Sequence, residues 1–344
     1  MTALNVNTVP LLNPKEDPGP NVQATGSVNG QKKVDRFDPN FTQAVIDATG
    51  PKALPRLKQV MPSLIRHMHD FCRENQITID EWMAAVNLMN EAGQMSNDRR
   101  NEGQLVLDIL GLETLVDDIT HKLAMDAEDL PTASAVLGPF WRKDAPRRKM
   151  GDTIVFGIDD GEHTLMHGTV TDHITGKPIE DAELDVWHTA PNGLYEQQDP
   201  NQVDYNLRGR FTTGKDGKYS FVCLRPTSYP IPNDGPGGKL LKLLDRHPMR
   251  PAHIHFIVTA PGYKPIITQI FDRTDKHIED DTVFAVKDSL IVDFLSLKDN
   301  PRAQFELPYN FKLAKYADKE VNGAQGATKE STAGDSAVHH ASGV

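Results

Sequence analysis

The chain has 344 residues, of which 38% are hydrophobic and 25% are charged, a composition typical of a globular protein long enough for two domains. Its formal net charge of −11 argues against nucleic acid or an anionic membrane as a partner. Two cysteines far apart in sequence exclude a thiolate-rich metal site. No run has the roughly 18 apolar residues of a membrane span, and the first residues lack the pattern of a secretory signal. We therefore expect a cytoplasmic protein without a membrane span.

Both ends of the chain are predicted to be disordered. Residues 1–37 are rich in Pro, Asn and Gly and show no periodicity, and residues 319–344 are small and polar. Such segments cannot bury enough apolar surface to offset their chain entropy. The second segment contains His339 and His340, to which we assign no site.

A helical domain is predicted over residues 38–130. Residues 78–81, TIDE, form a capping box that opens a helix, and Gly93 is expected to end it. A preceding helix is indicated by a stripe at helical spacing, which we expect to face a core: Leu57, Val60, Met61, Leu64, Ile65, Met68 and Cys72. A third helix is indicated by a further set: Leu105, Ile109, Leu112, Val116, Ile119 and Leu123.

An all-β domain is predicted over residues 131–318. This range begins with a connector that contains Pro and Gly. Short alternating runs such as KYSFVCL and AHIHFIV are separated by turn sequences such as GKDGK and APGYKP. Many short strands without helices between them are typical of a β-sandwich. The predicted class is therefore α+β, with an N-terminal helical domain and a C-terminal all-β sandwich.

The segment RPAHIHF, residues 250–256, places two histidines one residue apart on a predicted strand. Residues i and i+2 of a strand point to the same face, so His253 and His255 share one face while Ile254 and Phe256 point to the other. Two imidazoles on one face are half of a metal site. The same pattern also fits two polar residues on a solvated face.

Two tyrosines in loops that leave predicted strands complete a candidate ligand set. Tyr195 ends the segment WHTAPNGLY, and Tyr229 ends CLRPTSY. Phenolates are hard anionic donors, and two of them with two imidazoles suit Fe(III). The acid that a cupin-like HxH site needs is absent, as are the HExxH and GxSxG patterns. A copper protein using only the HxH pair is an alternative.

Five segments in this order resemble the intradiol ring-cleaving dioxygenases, the catechol and hydroxyquinol 1,2-dioxygenases. The resemblance extends over about residues 55–312. The segments are LGPF (137–140), DVWHTAPNGLY (185–195), LRPTSYPIP (224–232), RPAHIHF (250–256) and ITQIF (267–271).

The resemblance implies a non-haem Fe(III) enzyme, with one iron per chain held by Tyr195, Tyr229, His253 and His255. It implies that Tyr229 acts as a base toward the substrate and that Arg250 and Gln269 lie beside the iron and assist catalysis. It also implies a helical domain that forms a homodimer and in this family often holds lipid, so phospholipid is a candidate ligand. An aromatic ortho-diol and O2 are the implied substrates, as in aromatic hydrocarbon catabolism.

The resemblance also gives the residues expected to line the substrate pocket. They are Leu105, Asp108, Val136, Leu137, Gly138, Pro139, Phe140, Ile231, Pro232, Arg250 and Val283. Asp108 could accept a hydrogen bond from a third ring hydroxyl, which favours hydroxyquinol and a product 3-hydroxy-cis,cis-muconate, or maleylacetate. The alternative substrate is catechol, which would give cis,cis-muconate. Asp108 could instead cap a helix or form a local ion pair. A more distant alternative is a β-sandwich that binds metal without catalysis.

Overall fold

The computed structural model describes residues 38–97, 100–121, 130–157 and 160–316. Both predicted disordered tails, with His339 and His340, lie outside these residues. The chain divides into two compact units, one up to Leu88 and the other from Met89 onward. Most of the described helices precede the strands along the chain, in agreement with the predicted α+β class. The predicted domain boundary at 130/131 stays a prediction.

The helices of the described residues come early in the chain, with one exception that lies among the strands. None of them combines the length and the apolar character needed to cross a bilayer. They are α1 (Phe41–Asp47), α2 (Pro55–Glu74), α3 (Ile79–Met95), α4 (Glu102–Ile109), α5 (Leu112–His121) and α6 (Pro236–Leu243).

The stripe on α2 was predicted to face a core, and this prediction is wrong for the single chain. No residue of α2 is buried, and Leu57, Leu64 and Met68 are 44%, 49% and 58% exposed. Among the described residues, the unit up to Leu88 contains α1, α2 and part of α3. So few helices cannot enclose an apolar stripe of this length.

The predicted capping box at the start of α3 is confirmed. The backbone N–H of Thr78 donates to Oε2 of Glu81 at 2.8 Å, and the N–H of Glu81 donates to Oγ1 of Thr78 at 3.3 Å. The helix continues past Gly93 to Met95, because a glycine costs an α-helix only about 1 kcal/mol and does not by itself end it.

The third predicted helix is two helices. Gly111, between α4 and α5, has φ +71°, a conformation that ends a helix and that glycine adopts without strain. Leu105 and Ile109 of α4 are buried, whereas Leu112 of α5 is 44% exposed. Leu123 lies outside the described residues.

The β-strands form two five-stranded sheets and one two-stranded ladder. The strands are β1 (His163–Asp172), β2 (Glu183–Trp187), β3 (Arg208–Thr212), β4 (Lys218–Leu224), β5 (Tyr229–Pro230), β6 (Met249–Arg250), β7 (His253–Thr259), β8 (Ile266–Asp272), β9 (Ile291–Val292), β10 (Leu295–Ser296), β11 (Phe305–Pro308) and β12 (Phe311–Leu313). One sheet has the order β10-β11-β1-β12, with β4 paired to β1, and the other has the order β3-β2-β7-β8-β9. The ladder joins β5 to β6.

The two larger sheets share one hydrophobic core. Met166 of β1 and Phe221 of β4 come from the first sheet, and Leu184 of β2, Ile254 and Phe256 of β7 come from the second. This is the predicted β-sandwich. The alternation in β7 is confirmed as well, since the residues between its two histidines and after them point into the core.

Candidate active site

The structure brings the two predicted tyrosines and the two predicted histidines together in one buried cluster. Tyr195 Oη lies 3.2 Å from Tyr229 Oη and 3.1 Å from His255 Nε2. His253 Nε2 lies 3.4 Å from Tyr229 Oη and 3.1 Å from His255 Nε2. Each of the four side chains is at most 4% exposed, so the histidines do not lie on a solvated face. Donor atoms that share one ion at about 2 Å lie roughly 3 Å apart, so these four fit a single metal ion.

The histidine pair is fixed by its place in the middle of a sheet. In the antiparallel register of β2, β7 and β8, His255 lies between Trp187 and Gln269, and its ring stacks on that of Trp187 at 4.8 Å. His253 Nδ1 contacts the carbonyl oxygen of Pro251 at 2.7 Å. That contact places the ring proton on Nδ1 and the lone pair on Nε2 of His253, the arrangement typical of metal-binding histidines.

Tyr195 lies in a loop that a buried ion pair holds in place. It precedes a single 3-10 turn, Glu196–Gln198, and its ring stacks on Phe140 at 4.6 Å. Glu196 Oε2 accepts from Nε of the buried Arg208 at 2.7 Å. Because Glu196 directly follows the tyrosine, this buried ion pair positions the phenol. The sequence analysis did not include either ion-pair residue, although Glu196 adjoins a quoted motif.

Tyr229 lies in β5 rather than in a loop. Its cross-strand partner in β6 is Arg250, so the short ladder places a phenol beside a guanidinium. Gly193, with φ +79°, approaches closely, and a Cβ there would lie 3.2 Å from Cβ of Tyr229. The glycine of the motif NGLY therefore provides space for the second tyrosine.

Arg250 is bound to two other buried side chains. Its Nε and Nη2 donate to Oδ1 and Oδ2 of Asp281 at 3.0 and 3.1 Å, and its Nη2 also donates to Oε1 of Gln269 at 2.8 Å. Its Nη1 lies 3.2 Å from His253 Nε2. Gln269 in turn donates to the carbonyl oxygen of Val136. A paired, fully buried cation beside the tyrosine and histidine cluster can stabilise negative charge that develops there.

Burial sets the protonation of the cluster. It raises the pKa of Tyr195 and of Tyr229 above the ordinary value of a phenol. It lowers the pKa of His253 to about 3, with help from the charge of Arg250, and lowers that of His255 well below its usual value. Both imidazoles are therefore neutral and able to coordinate a metal at physiological pH. Burial alone would lower the pKa of Arg250, but Asp281 raises it above its ordinary value.

The predicted pocket residues come from several elements. Pro139, Phe140, Leu105, Ile231 and Pro232 line a cavity of about 350 Å³, enough for a substituted benzene ring. The remaining predicted residues are not among those that line this cavity. Val136 and Val283 belong to the same buried apolar cluster as Leu105 and Ile231, Leu137 borders the cluster of Tyr195 and Tyr229, and a Cβ on Gly138 would lie 3.3 Å from Cε1 of His255.

Asp108 is buried on α4 beside Leu105, at 4% exposed. Burial raises its pKa to about 9, and a hydrogen bond with Glu113 contributes to this rise, while the charge of Arg250 opposes it. The carboxyl group is therefore neutral at pH 7. Its Oδ1 has no hydrogen-bond partner among the described residues. Two arginines were candidates for a local ion pair with Asp108. Arg100 instead pairs with Glu102 and Asp234, and Arg99 lies outside the described residues.

Glu113 is the acceptor that the sequence analysis missed. Its Oε2 accepts from Nε2 of Gln104 at 2.8 Å, and its Oε1 accepts from the backbone N–H of Leu137 at 3.2 Å. Glu113 thus connects Asp108 to the connector that borders the pocket. Its position at the start of α5 gives no sequence signal for this role.

Comparison with known proteins identifies the family. The family described as "Dioxygenase" matches residues 136–315, and "Catechol dioxygenase N terminus" matches residues 55–128. The chain belongs to the intradiol ring-cleaving dioxygenases. An intradiol ring-cleavage dioxygenase of Aspergillus niger is 47% identical over 280 residues, which are 81% of this chain and 89% of that protein. Members of this family are non-haem iron enzymes that act on aromatic diols and O2.

Two further relatives differ in the substrate that their names give. A catechol 1,2-dioxygenase of Candida albicans is 45% identical over 296 residues, or 84% of this chain and 96% of that protein. The crystal structure of a hydroxyquinol 1,2-dioxygenase from Pseudomonas putida DLL-E4 superposes with a TM-score of 0.72 at 37% identity, over 80% of this chain and 98% of that one. The intradiol dioxygenase family is therefore clear, and the choice of diol must come from the pocket.

Proposed function

We propose that this intradiol dioxygenase holds one Fe(III) per chain with Tyr195, Tyr229, His253 and His255, and that hydroxyquinol is its preferred substrate. The observation that carries the ligand assignment is the mutual approach of the four buried donor atoms, each 3.1–3.4 Å from two of the others. Two phenol oxygens and two imidazole nitrogens are the donor set that a hard trivalent ion favours.

The residues around the donors support ring cleavage of a bound diol. A ferric ion in this position would withdraw electron density from a coordinated diol and make its ring reactive toward O2. Tyr229 Oη takes the proton of one diol hydroxyl, because the phenolate is a strong base. The Arg250 guanidinium stabilises negative charge that develops on the ring and on oxygen. The burial of these groups excludes water, which strengthens every electrostatic contact among them.

The substrate preference follows from Asp108 Oδ1. A third hydroxyl on the ring of hydroxyquinol can donate to this buried acceptor, whereas catechol would leave it unpaired. An unsatisfied buried polar atom costs about 1–3 kcal/mol. Asp108 is buried on α4 beside Leu105, which lines the cavity, and this placement supports the proposed contact with a bound ring. The product would be 3-hydroxy-cis,cis-muconate, whose keto tautomer is maleylacetate.

Metal analysis and oxygen uptake together test the proposal. We expect one iron per chain, a visible phenolate-to-iron absorption band, and oxygen consumption that is faster with hydroxyquinol than with catechol or protocatechuate. Tyr229→Phe should shift or abolish the band and lower turnover. Tyr263→Phe is the matched control and should change neither, because its phenol donates to Asp172 rather than to any of the four proposed ligands. Active protein without stoichiometric iron would contradict the ligand assignment.

We also propose that α2 forms part of a homodimer interface. Leu57, Leu64, Met68 and Phe71 lie at helical spacing and are 44–58% exposed, more apolar surface than a helix normally leaves in water. Leu64→Glu with Met68→Glu should convert a dimer into a monomer in light scattering, while Gln59→Glu should not. If the wild-type protein is a monomer that carries extractable phospholipid, lipid rather than a second chain covers this face.

The predicted cytoplasmic location also stays a prediction. It rests on the cysteines, since Cys72 is exposed, Cys223 is buried and neither forms a disulfide. Chains in oxidising compartments commonly use their cysteines in disulfides. Fractionation of cells with an antibody to the protein would test the location.

A further inference from the structure

Two histidines and an aspartate meet at the surface of the sandwich, outside the proposed iron site. His247 precedes β6, and His277 and Asp280 lie in the segment that follows β8. Nε2 of His247 lies 3.1 Å from Oδ2 of Asp280, and Nδ1 of His277 lies 2.9 Å from Oδ1 of the same carboxylate. One potential ligand atom from each of the three residues lies within 4.8 Å of the other two. Ligands of one metal ion have separations of this kind after only small side-chain rotations.

A neutral imidazole coordinates an ion through the nitrogen that does not carry its proton. His247 Nδ1 accepts the backbone N–H of Met249 at 3.1 Å, which places the ring proton on Nε2, the atom that faces Asp280. Coordination through Nε2 therefore requires the proton to move to Nδ1 and the contact with Met249 to break. The buried Nε2 of His277 has no hydrogen-bond partner among the described residues, so it can take the ring proton and leave Nδ1, which faces Asp280, to bind an ion without the loss of a hydrogen bond at Nε2.

The donor set selects a class of ion. Two imidazoles and one carboxylate suit Zn²⁺ and its neighbours Co²⁺, Ni²⁺ and Cu²⁺, whereas Mg²⁺ and Ca²⁺ prefer oxygen donors alone. His247 and Asp280 also line a cavity of about 530 Å³, together with Asp245 and Glu279. The cavity leaves room for water as a further ligand. Arg246 also lines it, but its guanidinium donates to the carbonyl oxygens of Ile109 and Thr282, and the additional carboxylates favour a cation.

We propose that His247, His277 and Asp280 bind one divalent ion of the zinc class at this surface. The next residue in the chain is Asp281, both of whose oxygens accept from Arg250. An ion held by Asp280 therefore restrains the segment that positions the active-site arginine. The binding proposal depends on neither the substrate nor the iron ligands.

Zinc binding to the iron-replete enzyme is the direct test. The protein should carry His339→Ala and His340→Ala, which remove the histidine pair of the C-terminal segment from the measurement. Titration with ZnCl2 against a chromophoric zinc chelator should detect one bound Zn²⁺ per chain without loss of iron. The melting temperature should rise on zinc addition, since a ligand that binds only the folded state stabilises it.

Single substitutions then assign the site. His277→Ala and Asp280→Asn should each weaken zinc binding at least tenfold and abolish the rise in melting temperature. His167→Ala is the matched control, because His167 pairs with one carboxylate, that of Glu306, at 3.4 Å, and it should bind zinc like the parent protein. Zinc uptake matched by an equal loss of iron, equal binding by all variants, or no uptake at all would overturn the proposal.

Discussion

Replacement of Asp108 by leucine tests how the pocket distinguishes diols. Leucine is larger than aspartate but branches at the same atom, so it can occupy the same buried position on α4, beside Leu105, and it offers no hydrogen-bond acceptor. Glu113 keeps its two other hydrogen bonds, from Gln104 and from the backbone of Leu137, so the connector remains anchored. The variant therefore removes both carboxyl oxygens of Asp108 and its hydrogen bond with Glu113, while Glu113 keeps its contacts with α4 and the connector.

The expected effect can be worked out from the unpartnered Oδ1 of Asp108. The wild-type pocket satisfies this atom when hydroxyquinol binds and leaves it unpaired when catechol binds, a difference of about 1–3 kcal/mol. At about 1.4 kcal/mol for each factor of ten, the ratio of kcat/KM for hydroxyquinol to that for catechol should fall roughly 5- to 150-fold in Asp108→Leu. Asp108→Asn retains a side-chain oxygen and should keep most of the preference.

The assay is initial-rate oxygen uptake with each diol over a range of concentrations, on protein whose iron content and melting temperature match the wild type. The decisive quantity is the ratio of the two values of kcat/KM, because a general loss of activity cancels in it. If Asp108→Leu is folded, holds iron and has a ratio within twofold of the wild type, Oδ1 does not recognise the third hydroxyl. A ratio that also collapses in Asp108→Asn would assign the preference to the proton of Asp108 instead.

Three further predictions concern stability. Asp281→Ala leaves the buried charge of Arg250 without its carboxylate and should destabilise the fold by about 3–5 kcal/mol, measured by urea unfolding, and should also lower kcat. Gly168→Ala places a Cβ 1.7 Å from the carbonyl oxygen of Tyr309 and should cost about 1–3 kcal/mol or more in the same assay. The pKa of Asp108 is about 9 in the folded state against 3.8 for an unperturbed aspartate, so its contribution to stability is complete below about pH 4 and is lost as pH rises toward 9. Asp108→Asn should reduce the slope of the unfolding free energy against pH, between pH 5 and 8, by up to about 1.4 kcal/mol per pH unit.

Matched controls separate these effects from general damage. Asp288→Ala removes an exposed carboxylate in the same part of the chain and should be neutral. Gly50→Ala adds a Cβ with nothing within 4 Å and should not destabilise the protein. An Asp281→Ala protein as stable as the wild type would show that Arg250 finds another partner, and a pH profile unchanged in Asp108→Asn would show that this carboxyl is ionised in the folded state.

The sequence predicted those parts of the fold that depend on local periodicity. Alternation in AHIHFIV placed Ile254 and Phe256 in the sandwich core and His253 and His255 on the other face, and the capping box at Thr78 located the start of α3 correctly. These features depend on neighbours in the chain. The periodicity of α2 was equally clear, but it states only that one face is apolar and not what covers it. For that reason Leu57 and Leu64 were assigned to a core that the single chain does not have.

The residue types of the candidate site could be predicted from the sequence, but the hydrogen bonds and ion pairs that connect them could not. A phenol–imidazole set has a distinctive chemistry, and the order of five motifs made the family resemblance specific. Asp281 and Glu113 carry no such signal: each is an ordinary acid whose role depends on a partner more than 20 residues away or in another element. Asp281 is recognisable only once Arg250 is seen to use both of its oxygens. The partner of a buried charge can therefore be identified only from the three-dimensional structure.

The protonation of the cluster explains why a highly charged cation suits it. With the histidines already neutral, the energetic obstacle to metal binding lies in the two phenols, whose pKa values burial raises. Two phenolates in a buried site are costly unless a cation of high charge lies between them. The charge of Arg250 lowers the pKa of both phenols, but for Tyr229 a hydrogen bond with Arg250 adds to this effect, whereas the charge of Tyr229 and a hydrogen bond with it raise the pKa of Tyr195. A phenolate that Arg250 stabilises away from the metal can leave it and accept a proton, which supports the proposed role of Tyr229 as the base.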